Sequence, residues 1–333
     1  LGGTVLVTGA NGFVGSHLAD VLHEAGAPLR LLVRKGGNHR VLERFRDQLV
    51  FGDVRQPGSL LEAVRGTEVV YHVAGITSAA RNGDFYRVNA DGVAAVVAAC
   101  RAARPRPRRL VLVSSLAAAG PSPDGRPLTE EAPTRPVNHY GRSKLEGERR
   151  AMEAASDLEV VIARPPAVYG PRDRDILLFF RCVERGLLPL LGPSGQLLSL
   201  IHVADLAHGL HALGDAPEAR GRVYFLTGPA DTTLRGFADA IARAVGRHYR
   251  TIPIPRPVRW AVGCAGELAG WLWGSARLPT RDRFRMLEQP AWVCSSDRAA
   301  REIGFRPRWG PLEGAADTAR WYREQGWLGP PRA

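Results

Sequence analysis

The sequence predicts an α/β protein built on a doubly wound parallel sheet, with a smaller region behind it. Three observations carry that reading. Short apolar runs rich in β-branched residues alternate with helical segments from Val5 to about Ala163. The glycine turn Gly9-Ala10-Asn11-Gly12-Phe13-Val14-Gly15 follows the first of these runs directly. Beyond about Gly170 the alternation breaks up, as insertions added to a finished sheet would.

The first strand, Val5 to Val7, is apolar, as a parallel strand covered on both faces should be. In the turn after it, glycine frees the backbone, lets a ligand approach the main chain, and lets the next helix pack close to the strand. That helix runs from Phe13 to about Ala25. It aims unpaired amides and a positive dipole end at the turn, which suits phosphate groups. Gly9, Asn11, Gly12, Phe13, Val14 and Gly15 are therefore candidate ligands of a dinucleotide.

Leu29 to Val33 is the second strand, followed by Arg34 and Lys35. An acid at this strand end would bond a ribose 2′-hydroxyl, whereas an arginine accommodates a 2′-phosphate. NADP(H) is the preferred cofactor and NAD(H) the alternative; the bland reading is two solvated loop charges. Val50 to Val54 is the third strand and carries Asp53. A helix from about Pro57 to Arg65 leads to the fourth strand, Glu68 to Val73. Ala74 and Gly75 end it with small residues where backbone should lie close to the cofactor. Thr77 and Ser78 follow, toward the reacting end, and His72 reads as a packed core histidine.

One long helix is expected from Phe85 to about Ala103. Its apolar face between Val93 and Cys100 suits either the core or a homodimer interface shared with the helix near 140–155. Arg109 to Val113 is the fifth strand and runs into Ser114 and Ser115. A proline-rich loop, Pro121 to Pro136, precedes a helix from Tyr140 to about Ala155. Leu158 to Ala163 is the sixth strand. In the second half, helices are expected at Ile176–Arg185 and Leu234–Val245, and an added strand at Val223–Thr227.

Composition narrows the classes. The 333 residues are 45% hydrophobic and 23% charged, ordinary for a globular protein. The net charge is +12, and Lys35 and Lys144 are the only lysines. The arginines are scattered apart from Arg101–Arg109, and no nucleic-acid motif accompanies them, so no nucleic-acid partner is expected. Four separated cysteines suggest neither a disulfide framework nor a metal site. A cytoplasmic enzyme is expected. The apolar stretch Trp260 to Trp273 is shorter than a membrane span and contains Glu267. A core helix or pocket wall is the default reading, with peripheral membrane contact the minor alternative.

Tyr140 and Lys144 lie four residues apart on one helix face. A free tyrosine, with a pKa near 10, is a poor proton donor at neutral pH, and a neighbouring ammonium should lower that value. Ser115 would hydrogen-bond a carbonyl or alcohol oxygen. The bland alternative is a surface tyrosine beside a surface lysine. Yet one of only two lysines in an arginine-rich chain holds this position.

Thr8-Gly9-x-x-Gly12-x-x-Gly15, Ser115, Tyr140-x-x-x-Lys144 and Pro165, in that order, resemble the extended short-chain dehydrogenase/reductase superfamily. Ile201-His202-Val203-x-Asp205-Leu206 and Asp297 to Pro307 resemble its second-half signatures. The resemblance implies a Rossmann domain over residues 1–170, with a returning segment about 200–228. The smaller substrate-binding region would take 171–199 and 229–333. It also implies Asp53 and Val54 near the adenine, a structural or relay role for Asn89, and Lys144 on the nicotinamide ribose. Pro165 and Val168 would meet the carboxamide, and Thr77, Ser78, Ser115 and Tyr169 the substrate. Ala119-Gly120 departs from sugar-nucleotide epimerases, which typically carry a tyrosine before this glycine. Arg34 and the tryptophan-rich tail look more like dihydroflavonol reductase and 3β-hydroxysteroid dehydrogenase-like members, implying a bulky or apolar small-molecule substrate. The implied activity is hydride transfer between nicotinamide and a ketone or secondary alcohol. A nucleotide-sugar epimerase or dehydratase with retained NAD is the alternative, and a non-catalytic dinucleotide sensor ranks last.

Overall fold

The structure is a computed structural model that describes residues 2–193, 195–273 and 279–330. Position 1 of the expected Rossmann domain and positions 194, 274–278 and 331–333 of the expected second region lie outside the described residues. Six strands come first: β1 (Val5–Thr8), β2 (Leu29–Val33), β3 (Leu49–Phe51), β4 (Val69–His72), β5 (Arg109–Val113) and β6 (Glu159–Arg164). Short strands follow: β7 (Ala167–Tyr169), β8 (Leu187–Leu190), β9 (Leu197–Leu198), β10 (Leu200–His202), β11 (Val223–Phe225), β12 (Thr232–Thr233), β13 (Arg250–Pro253) and β14 (Ala291–Trp292).

The main sheet is parallel throughout, in the order β11-β6-β5-β4-β1-β2-β3. The chain winds outward from β1 in one direction, then restarts at β4 and winds the other way. The crevice of such a sheet opens where the direction reverses, at the carboxyl ends of β1 and β4.

The first-half helices are α1 (Phe13–Glu24), α2 (Leu61–Val64), α3 (Asn82–Asn89), α4 (Asp91–Ala102), α5 (Leu116–Ala119) and α6 (His139–Met152). The second half carries α7 (Leu177–Glu184), α8 (Val203–Asp215), α9 (Leu234–Val245), α10 (Arg256–Trp273), α11 (Arg281–Leu287), α12 (Asp297–Glu302) and α13 (Pro311–Glu324). Strand side chains alternate between faces. Val5 and Val7 join Leu18, Leu22, Leu206 and Leu210 in one core, while Leu6 joins Val93, Val96, Cys100 and Ala151 in the other. A third core, around Phe180, Leu188, Phe237, Ile241 and Tyr322, holds the second region together.

Three expectations change. The third strand stops at Phe51, so Asp53 and Val54 sit in the loop beyond it. The long helix is two, α3 and α4, meeting at Ala90. At that break the Asn89 side chain turns away to bond the backbone of Ile76, accepting from its N–H at 2.9 Å and donating to its carbonyl at 3.1 Å. Val93, Val96 and Cys100 are covered within the single chain and serve the core. The Trp260–Trp273 stretch is helical, but it is not a core helix. Gly263, Gly266 and Gly270 face inward while Trp260, Leu268, Trp271 and Leu272 are exposed. Arg109, the last of the Arg101–Arg109 run, is not a surface arginine. It is 1% exposed and spends its guanidinium on Glu159 and on the carbonyls of Leu213 and Ala216.

Candidate active site

The glycine turn has the conformation its residues suggest. Gly9 has φ +68°, and a side chain there would drive a Cβ to 2.7 Å from the Cα of Ala74. A Cβ on Gly15 would meet the Gly9 carbonyl oxygen at 2.3 Å, so the strand–helix crossing requires glycine. No side chain caps the N-terminus of α1. The first-turn amides of Phe13, Val14 and Gly15 lack intrahelical acceptors and point into the crevice. This cradle fits a pyrophosphate. Asn11 extends it by donating to the Asn38 carbonyl at 3.2 Å, which ties the turn to the loop after β2.

That loop carries Arg34 and Lys35 with exposed side chains. The Arg34 carbonyl accepts from the Gly37 N–H and bonds a ring nitrogen of His39, both at 3.0 Å, which fixes the backbone under the guanidinium. Asp53 faces Arg34 but is clamped by Arg55 at 2.6 Å. Hydrogen bonds from Arg55 hold its carboxyl below the usual range. An adenine contact from Asp53 would have to share that carboxylate.

Across the crevice, Ser115, Tyr140 and Lys144 come together. Ser115 ends the β5 turn and caps α5, accepting from the Ala117 N–H at 3.1 Å. Asn138 caps α6 through the Gly141 N–H at 2.9 Å. The Asp282 carboxylate accepts the His139 N–H at 3.0 and 3.1 Å, so the second region docks on the same helix start. Tyr140 is half-buried and hydrogen-bonded to Ser115. Lys144 is buried and donates to the Val113 carbonyl at 3.0 Å. A Cβ on Gly75 would lie 3.0 Å from its ammonium and 3.1 Å from the Asn89 side-chain oxygen, so a larger residue there would crowd that approach.

The electrostatics correct one expectation. Burial raises the Tyr140 phenol and Asp175 adds to the rise, while the Ser115 hydrogen bond opposes it. The Lys144 ammonium donates to the Val113 carbonyl, and the net shift of the phenol is upward, not downward as its neighbouring ammonium led one to expect. Burial lowers Lys144 itself to about 8, with Glu148 opposing.

The remaining predicted residues divide. Thr77 donates to Asp175 at 3.2 Å, and the Ser78 hydroxyl accepts from Arg283 at 2.8 Å, so both bridge to the second region at the crevice rim. Pro165 accepts the Leu116 N–H at 2.8 Å beside Ser115, and Val168 is half-buried. Tyr169 is not a pocket residue. It is 1% exposed, donates to the Gly310 carbonyl at 3.2 Å and stacks edge-on against His202 and Phe237.

Sequence reasoning missed Asp175, Arg283 and Glu148. Glu148 carried a signal: Tyr140, Lys144 and Glu148 share one helix face at successive spacings of four. Its carboxylate takes hydrogen bonds from Arg164 at 2.9 and 2.5 Å and from Ser114 at 2.5 Å, in full burial. It anchors the Lys144 turn of α6 to β6 and to the residue before Ser115. Asp175 and Arg283 had no local pattern, because only folding brings them to the site.

A family model for the NAD dependent epimerase/dehydratase family matches residues 5–226, the sheet and crevice just described. The chain belongs to that family. Family membership and relatives together make it an NAD(P)-dependent oxidoreductase. Among curated proteins, the chain is 33% identical over 332 residues to the ceramide reductase of Caulobacter vibrioides, covering 98% of this chain and 96% of that one. It is 29% identical to a 4-hydroxy-2-methyl-3-oxo-4-farnesyl-3,4-dihydroquinoline-1-oxide ketoreductase of Stigmatella aurantiaca, with 91% of each covered. Among solved structures, a dTDP-glucose 4,6-dehydratase from Streptomyces venezuelae with NAD bound superposes with a TM-score of 0.80 at 24% identity. That match covers 99% of this chain and all of the other, and shows the shared fold. Among the described residues, no helix is long and apolar enough to cross a membrane, and no His, Cys, Asp and Glu group could hold a metal ion.

Proposed function

We propose that this enzyme is an NADP(H)-dependent reductase of a ketone on a bulky, apolar small molecule, working as a homodimer. The observation that carries the reading is the convergence of Ser115, Tyr140 and buried Lys144 beside the glycine cradle. The two reductase relatives, one named for ceramide and one for a farnesylated quinoline oxide, support the ketone and the apolar substrate. Arg34 at the end of β2 supports the 2′-phosphate.

In this reading the amides of Phe13, Val14 and Gly15 hold the pyrophosphate, and Arg34 the 2′-phosphate. Lys144, held on Val113, reaches past Gly75 toward the nicotinamide ribose. When bound, the nicotinamide supplies the hydride. Ser115 orients the substrate carbonyl, and Tyr140 delivers its phenolic proton to the carbonyl oxygen. The raised Tyr140 phenol keeps its proton until negative charge develops on that oxygen. Thr77 and Ser78, with Asp175 and Arg283, border the substrate.

The test is turnover on a panel of apolar ketones with NADPH and NADH, alongside fluorescence titration of both cofactors. NADPH should bind about tenfold or more tightly than NADH, a difference of about 1.4 kcal/mol. Tyr140→Phe should lose about 10²–10⁴ in turnover while binding NADPH normally. Unchanged turnover in Tyr140→Phe would end the proton-donor assignment. Tightly retained NAD⁺ in the purified protein would overturn the reductase reading.

A further inference from the structure

Helix α10 is built inside out. At 100° per residue its small positions, Gly263, Gly266 and Gly270, fall on one side and are buried. Added side chains there would collide with the protein: a Cβ on Gly263 would meet the Arg281 backbone N at 3.0 Å, and one on Gly270 the Ala80 carbonyl at 2.5 Å. The large apolar residues fall on the other side. Val258, Trp260, Val262, Leu268, Trp271 and Leu272 occupy an arc of about 200° of the helix, and Trp260, Leu268 and Trp271 are 62%, 56% and 69% exposed. Ala261 and Ala265 complete the arc, which contains no charged residue. Glu267 sits at its edge, neutralised by Arg281 at 2.6 Å.

The surroundings are basic. Strand β13, which leads into α10, exposes Ile252, and its partner β8 exposes Leu187. The same strand forms the rim of a groove lined by Arg235, Arg243, Arg247, His248 and Arg250, with Asp239 the only acid. Arg256 is exposed at the start of the helix. A tryptophan-bearing apolar face beside arginines matches the headgroup boundary of an anionic bilayer, where indoles settle between acyl chains and headgroups.

The geometry points to α10 as an interfacial helix that docks this enzyme on anionic lipid membranes, lying in the surface without spanning it. Its inner side packs on Ala80, two residues from Ser78, so the helix lies at the rim of the candidate site with its apolar side turned outward. A lipophilic substrate could then enter from the bilayer. That consequence rests on the proposed function, whereas the docking rests on α10 and its arginines alone.

Flotation of the full chain with vesicles of phosphatidylcholine plus phosphatidylglycerol, against phosphatidylcholine alone, tests it. The protein should float with the anionic vesicles, with a blue shift of tryptophan emission, and much less with the neutral ones. The double variant Trp260→Glu/Trp271→Glu should lose about tenfold or more of the bound fraction. Circular dichroism should show its fold unchanged, because both side chains are exposed. Arg247→Glu/Arg250→Glu should lose the anionic preference. No flotation, or flotation that the tryptophan substitutions leave unchanged, would overturn the proposal. So would a dimer that the same substitutions dissociate, because the face would then be covered by a second copy of the chain. A failed ketone panel with intact flotation would count against the proposed function only.

Discussion

Replacing Glu148 with Gln perturbs two properties at once. Glu148 and Arg164 are 4% and 5% exposed, and the carboxylate receives three short hydrogen bonds, two from Arg164 and one from Ser114. Glutamine keeps the volume and removes the charge, leaving the Arg164 guanidinium buried without a counter-ion. Breaking a buried pair from one side costs about 3–5 kcal/mol, which a urea titration reads directly. The second property is the protonation of Lys144. Burial lowers its pKa to about 8 and the Glu148 charge opposes that fall. Without the charge the pKa falls further. If the ammonium is the working form, kcat/KM in the parent declines as pH rises through about 8, and in Glu148→Gln the decline begins at lower pH. Glu148→Asp retains the charge and should keep the alkaline limb near the parent's position even if it destabilises the fold. A Glu148→Gln variant that loses less than about 1 kcal/mol and keeps the parent's alkaline limb would refute both the buried-pair reasoning and the link to Lys144.

Two further outcomes follow from the same geometry. Gly9→Ala should weaken NADPH binding by about tenfold or more, because its Cβ has no room against Ala74 and its φ is positive. Gly26→Ala, at φ +76° with open space around it, controls for backbone strain alone, and equal losses of NADPH affinity in the two variants would refute the steric reading. His72 is buried on Thr8 at 2.8 Å, and burial lowers it from 6.5 to about 3. Between those values the unfolded chain carries a proton that the folded chain refuses, so this group's contribution to stability is lost as pH falls from about 6.5. His72→Gln should therefore flatten the acid decline in stability by about 1.4 kcal/mol per pH unit relative to the parent, as read by urea titrations from pH 7 to pH 4; an unchanged slope would refute it.

Much of the fold was legible because its signals are local. A buried parallel strand must be apolar on both faces, and the turns between strands and helices need glycine, so β1, β2, β4, β5 and β6 could be read from runs of a few residues. Tyr140, Lys144 and Ser115 were legible for a similar reason. A helical spacing of four and a strand end fix where those side chains go before any long-range contact forms. What the sequence alone determined about this protein is thus its doubly wound sheet, its glycine cradle, and a hydroxyl, phenol and ammonium on the elements that border the crevice. Tertiary structure decided what depends on residues distant in the chain. Asp175 and Arg283 meet Thr77 and Ser78 across about 100 and 200 positions. Tyr169 is drawn into the core by Gly310 and His202, Lys144 donates to a strand carbonyl, and burial and Asp175 raise the Tyr140 phenol. The direction in which α10 faces was also beyond sequence reading. An apolar stretch with glycines on one side and tryptophans on the other can bury either one, and packing against Ala80 and Arg281 selected the glycines.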